Sequence, residues 1–299
     1  MKFLLFGQSG QVGWELRRSL QPLGQVVAAE PAEADFKDPD AVRRFALAHQ
    51  ADVIVNAAAY TAVDQAESDE ANAHLVNAES VGALARVAAE QGAWLVHYST
   101  DYVFDGSGTE PWRESDPVAP LNAYGRTKAA GESAIKASGC KHLLLRTSWV
   151  YAARGNNFVR TILRLAEERD ELRVIADQHG VPTAAEFLAS ETAGALAKAM
   201  AGSGAPLSGT YHLAPRGETT WHGIACEVVR LASELGAPLR VHPDRIVPIP
   251  SKEYPLPAPR PANSRLCVEL FESRFGVRCP DWRAHLQRVV AELVGGLNT

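Results

Sequence analysis

No run of this chain approaches 18 consecutive apolar residues, so an ordinary membrane-spanning helix is excluded. Runs of Lys and Arg are missing too, and the net charge is −5, so nucleic acid, whose capture rests on basic patches, is not an expected partner. Cysteine is scarce: Cys140, Cys226, Cys267 and Cys279 lie far apart, with no C-x-x-C pair. That spacing argues against a disulfide framework or a thiolate metal centre and suits reduced thiols in a cytoplasmic protein. The apolar stretch and small-residue cleavage site of a signal peptide do not follow Met1-Lys2. Internal repeats and low-complexity segments are absent. What is there, 46% apolar and 22% charged residues over 299 positions, describes a globular chain long enough for one large domain or one and a half.

The first hundred residues alternate short apolar runs with amphipathic segments. Strands are predicted at residues 2–6, 25–29, 52–56 and 94–99. Helices are predicted at 11–21, from Asp38-Pro39 to about residue 49, and at 77–91. Residues 64–69 read as a solvated acidic turn. Four such alternations are the signature of an α/β fold built on a doubly wound parallel sheet.

Further along, strands are expected at 142–146, 172–176 and 209–213, and helices at 127–138, 157–169, 185–200, 221–235 and 281–293. Residues 202–204 read as a turn, and Thr219-Thr220 as a helix cap. Seven prolines between residues 243 and 261 exclude regular helix or central strand there. That stretch is either a linker or a loop wrapped back to complete a substrate site.

The first strand runs into Gly7-Gln8-Ser9-Gly10-Gln11-Val12-Gly13, which opens a helix. Glycines so placed let backbone amides approach a pyrophosphate at a helix N-terminus, although a bare strand-to-helix turn has the same pattern. Glu30 stands about 20 residues on, where an acid accepts the adenosine ribose hydroxyls, or is a plain solvated acid. It favours NAD, while Lys37, Arg43 and Arg44 leave NADP open. Ala57-Ala58-Ala59-Tyr60-Thr61 offer either room for a flat nucleotide or simple packing. Trp149 offers a flat face to a ligand or to the core. Arg260 and Arg265 either meet phosphates or carry surface charge.

Thr100 follows an apolar run and should sit at a strand's carboxyl end, where open α/β sheets hold their ligands. Tyr124 and Lys128 are four apart and share one helix face. A hydroxyl, a phenol and an ammonium so arranged can hand a proton to a carbonyl oxygen. Residues 106–120, rich in Gly, Pro and acids, suit a lid over that site.

Taken together, Gly7 through Leu16, Val55 through Asp64, Tyr98 through Gly106, Tyr124 through Lys128, Arg146 through Tyr151 and Arg260 through Leu266 carry a resemblance. The chain resembles, over nearly its whole length, the dTDP-4-dehydrorhamnose reductases, a branch of the extended short-chain dehydrogenase/reductase family. The resemblance implies a Rossmann dinucleotide-binding domain over mainly 1–150. A smaller substrate-binding part is implied over mainly 151–299, with some segments returning to the sheet. It implies reduction of the C4 ketone of dTDP-4-dehydro-L-rhamnose by NADH or NADPH, the last step toward the rhamnose donor for bacterial surface polysaccharides.

By position, Gly7, Gly10, Gln11 and Val12 would hold the pyrophosphate, and Glu30, Asp35 and Phe36 the adenosine edge. Ala58, Ala59, Tyr60 and Thr61 would line the nucleotide, with Tyr98, Tyr124 and Lys128 also on the cofactor. Thr100, Asp101, Tyr102, Trp149 and Arg260 would meet the substrate. The implied catalysts are Thr100, Tyr124 and Lys128. Tyr124 supplies the proton, and Lys128, one turn away, lowers a phenol pKa that is ordinarily about 10. Some members bind a structural magnesium ion at a dimer contact through residues like Glu15 and Glu186, so a homodimer and a metal are carried by the resemblance alone. Alternatives are a 4,6-dehydratase, which needs a second carboxylate where Tyr102 follows Asp101, an epimerase, or a non-catalytic regulatory relative.

Overall fold

Phe3, Leu4, Leu5 and Phe6 are all buried, because strand β1 (Lys2–Phe6) runs through the middle of a sheet covered on both faces. Gly7 then turns at a φ of +79°, which favours glycine, and helix α1 (Gln11–Ser19) begins. A Cβ on Gly13 would run into the Gly7 carbonyl, so helix and turn touch backbone to backbone. The structure, a computed structural model, describes residues 1–202 and 206–297.

From α1 the chain continues through β2 (Gln25–Ala28), α2 (Pro39–His49), β3 (Val53–Asn56), α3 (Val63–Ala66), α4 (Glu70–His74), α5 (Ser80–Gln91) and β4 (Trp94–Thr100). It proceeds through α6 (Ala123–Ser138), β5 (Lys141–Thr147), β6 (Val150–Tyr151), α7 (Phe158–Glu168), β7 (Leu172–Ile175), β8 (His179–Gly180) and β9 (Thr183–Ala184). Then follow α8 (Ala185–Met200), β10 (Gly209–His212), β11 (Thr219–Thr220), α9 (Trp221–Glu234), β12 (Ile246–Ile249), α10 (Glu269–Phe275) and α11 (Trp282–Leu297).

The main sheet runs β2-β1-β3-β4-β5-β10, every neighbouring pair parallel. The strand order reverses between β1 and β3, and a crevice outside the carboxyl ends there is where such sheets hold ligands. Side chains alternate between two cores. Phe3, Leu5, Val53 and Val55 pack with Leu16 of α1 and Leu188 of α8. Leu4, Phe6, Ile54 and Leu95 pack with Phe36, Val42, Leu84 and Val87 on the other face. Each such aliphatic side chain contributes about 1.5–3 kcal/mol on burial.

Several expectations are corrected. Residues 64–69 are not a free solvated turn: α3 forms there and Ala66 is fully buried. Asp64 is occupied as well, accepting from the Ala258 amide at 3.1 Å and pairing with Arg260 at 2.9 Å. The helix expected from residue 77 begins at Glu70 and passes through a π-helical turn, Leu75–Glu79. Within that turn the Asn77 amide joins the Tyr60 backbone, at 2.9 and 3.1 Å, to the Thr127 hydroxyl at 3.1 Å.

The expected lid, 106–120, is fastened rather than free. Trp112 stacks on Phe104 at 4.7 Å and exchanges backbone hydrogen bonds with Arg265 and Cys267. The proline-rich stretch is wrapped back rather than a free linker: among the described residues β12 pairs with β7, and the chain beyond it packs at the start of α6, where Asn122 donates to the Pro259 carbonyl oxygen at 2.8 Å, without lining the cleft. Of the turn expected at 202–204, Ser203 and Gly204 lie outside the described residues. Among the described residues, no helix is long and apolar enough to cross a membrane.

Candidate active site

Every loop that leaves a carboxyl end in the middle of the sheet opens into one cleft of about 850 Å³. Gly7 through Val12 form one wall. Gly10 caps α1 without any side-chain hydrogen bond, so the first amides of the helix stay free for an anion. Glu30, Asp35 and Phe36 line the next stretch, and Ala57, Ala58, Ala59 and Thr61 the floor after β3. Tyr60 departs from expectation: its ring lies outside the cleft wall and its hydroxyl donates to Asp69 at 3.0 Å.

β4 delivers Tyr98 and Thr100, the turn after it Asp101, and α6 delivers Tyr124 and Lys128, to the same wall. The Asn122 side chain caps α6 by accepting the Gly125 amide at 2.8 Å, which fixes where the helix starts and therefore where Tyr124 points. The Tyr124 ring packs edge-on against Tyr102 at 5.5 Å. Burial pushes the Tyr124 phenol up to about 12, with the adjacent Thr100 hydroxyl opposing that rise. A phenol so placed is fully protonated at neutral pH, ready to give a proton to an oxyanion. This corrects the expected electrostatic lowering by Lys128. The Lys128 Nζ is instead turned onto the Tyr98 carbonyl oxygen at 2.6 Å and His97 Nε2 at 3.3 Å.

Asp101 is 1% exposed, and burial lifts its carboxyl to about 7. One of its oxygens accepts from Thr100 at 3.1 Å, and the Thr100 and Ser264 hydroxyls both oppose the rise. Behind this wall a buried pair holds β4, β5 and α6 together. Arg146 forks onto Glu132 at 2.8 and 2.7 Å, and Ser99 donates to the same carboxylate at 2.7 Å.

Trp149 adopts a φ of +46°, rare for a bulky residue, and stacks on Trp221 at 4.1 Å. Both indoles line the cleft. Arg260 is outside the lining and is held by Asp64. Gln8, His97, Trp221 and Glu132 escaped the reading of the sequence. The chain order carried a hint for Glu132 alone, one helical turn past Lys128.

Glu15 and Glu186 come close across α1 and α8, near enough that Glu186 and Glu292 help raise the Glu15 carboxyl, after burial. Glu186 is paired with Arg288 at 3.2 Å. Among the described residues no group of three His, Cys, Asp or Glu side chains is arranged to hold an ion.

A parallel sheet with an open glycine turn at one strand end, and Thr, Tyr and Lys together at another, defines a Rossmann-type short-chain dehydrogenase/reductase. The family model described as the RmlD substrate binding domain matches residues 1–294, and the chain belongs to the dTDP-4-dehydrorhamnose reductase family. A relative of that name from Burkholderia thailandensis is 52% identical over 298 residues, covering 98% of this chain and 99% of its own. One from Escherichia coli is 50% identical over 297 residues, 98% of each. The structure of a dTDP-4-dehydrorhamnose reductase from Bacillus anthracis in complex with NADP superposes with a TM-score of 0.87 at 32% identity, covering 97% and 99% of the two chains.

Proposed function

We propose that this chain reduces the C4 ketone of dTDP-4-dehydro-L-rhamnose to dTDP-L-rhamnose, the sugar donor for surface polysaccharide. A bound NADH or NADPH would supply the hydride. The chain's residues do the rest: Thr100 hydrogen-bonds the carbonyl oxygen, and Tyr124 gives that oxygen its proton as negative charge gathers there. Lys128 serves the cofactor ribose and the recharging of Tyr124. The amides at the start of α1 receive the pyrophosphate, and Trp149 and Trp221 wall the sugar. The residues before about 150 serve mainly the cofactor and those after it mainly the substrate. The observation that carries this reading is the Tyr124 hydroxyl beside Thr100, at the edge of a cleft whose far end is an uncapped helix start.

Mixing the protein with dTDP-4-dehydro-L-rhamnose and NADH, then following absorbance at the nicotinamide band, tests it. Substrate-dependent loss of absorbance is expected. A flat trace with intact dinucleotide binding would favour the non-catalytic alternative.

A further inference from the structure

The cofactor preference left open by the sequence has a structural counterpart at the adenosine edge. Arg43 is taken by Glu90 at 3.1 Å, and Arg44 by Asp38 at 3.6 Å. A third arginine, Arg17 in the last turn of α1, is drawn to this edge instead. None of the three lines the cleft directly, but Arg17 alone of them is bonded to a residue that does, Gln8. Arg17 Nη1 donates to Gln8 Oε1 at 3.2 Å, and Gln8 Nε2 donates to Glu30 Oε1 at 2.6 Å. Gln8 is buried and lines the cleft beside Glu30. Among the described residues Arg17 makes no ion pair; its partner is the neutral amide. The amide is thus a spacer that keeps a cation and a carboxylate apart while holding both at one place.

We propose that Gln8 sets Arg17 and Glu30 as two alternative receptors at the adenosine ribose, Arg17 for a 2′-phosphomonoester and Glu30 for a free 2′,3′-diol. The inference rests on the functional reading above, in that a nicotinamide dinucleotide occupies the cleft. Its physical content is a charge balance. A carboxylate accepts two hydroxyl donors but repels a phosphate dianion. A guanidinium forks onto phosphate oxygens and gains little from a diol. Glu33, which accepts the Glu30 amide at 2.9 Å, and Asp35 add negative charge to the same edge. On this balance Arg17 favours NADPH and Glu30 favours NADH.

Titration of the purified chain with NADH and with NADPH, read by calorimetry at two salt concentrations, tests this without turnover. Arg17→Gln, a change at an exposed position, should raise the NADPH dissociation constant relative to that of NADH by at least about tenfold, the range for a hydrogen bond to a charged group. Glu30→Gln should move the ratio the other way. Wild-type NADPH binding should weaken with salt more steeply than NADH binding. An unchanged ratio in Arg17→Gln overturns the inference while leaving the functional reading intact. Failure of the wild-type chain to bind either dinucleotide overturns both.

Discussion

The Lys128 Nζ donates to the Tyr98 carbonyl oxygen at 2.6 Å and stands 3.3 Å from His97 Nε2, away from the phenol four residues before it. Asn56 explains the His97 side of this contact. Its Oδ1 accepts the Ala58 amide at 3.0 Å, so its Nδ2 faces His97 Nδ1 at 3.1 Å. With Nδ1 accepting, the neutral ring carries its proton on Nε2, toward Lys128. Burial pulls Lys128 down to about 8, with the Glu132 carboxylate opposing. A lysine poised near 8 exchanges protons close to neutral pH, as a group that reprotonates a phenol must.

Replacing that amine by an apolar chain separates its two proposed roles from mere packing. Lys128→Met should both weaken NADH binding and slow turnover, measured by titration and by steady-state rates on the same preparation. A variant with normal values of both would leave Lys128 a buried residue without a part in the chemistry.

Tyr124→Phe removes the proton and little else, because the ring keeps its edge contact with Tyr102. Turnover should fall by about 10²–10⁴-fold, the usual contribution of a positioned general acid, while the NADH dissociation constant holds. Near-normal turnover would refute the assignment.

Asp101 gives a pH dependence with a definite sign. Its folded carboxyl titrates near 7, against about 4 in the unfolded chain. Between those values the folded state holds a proton that the unfolded state has lost, so stability falls as pH rises across that window. Asp101→Asn should flatten this part of the curve of Tm against pH. Parallel curves for the two proteins from pH 4 to 8 would mean that the carboxyl ionises as freely in the fold as in water.

The Glu132–Arg146 pair is 2% and 1% exposed. Glu132→Ala leaves a buried guanidinium without its partner, at a cost of about 3–5 kcal/mol in denaturant unfolding. Ser99 precedes Thr100 on β4 and also loses its acceptor, so turnover should drop even where the variant folds. A loss under 1 kcal/mol would show that water reaches Arg146.

Much of this was legible in the sequence because it is local. Apolar runs gave β1, β3 and β4, since strands buried on both faces cannot hide their composition. Asp38-Pro39 and Thr219-Thr220 announced their helices through capping chemistry, and the glycine turn announced its own sharp bend. What stayed hidden depends on residues far apart in the chain. Asp64 looks like a solvated acid until Arg260, 196 positions later, is brought to it. Tyr60 follows three alanines on the cleft floor but is turned outward by Asp69 and Asn77. The direction of the Tyr124 shift is hidden for the same reason: spacing on a helix tells which side chains are neighbours, not that Lys128 has a better acceptor in the Tyr98 carbonyl oxygen.

The sixth strand of the main sheet, β10, is made of residues 209–212 and lies against β5. A nascent chain that has left the ribosome only through Tyr151 therefore carries the whole glycine turn and the Thr100 and Tyr124 hydroxyls, yet exposes β5 as an open edge. Such an edge is a template for pairing with a second copy. Translation must proceed about sixty residues further before this chain can shield itself, which makes that interval the point at which a chaperone has most to protect.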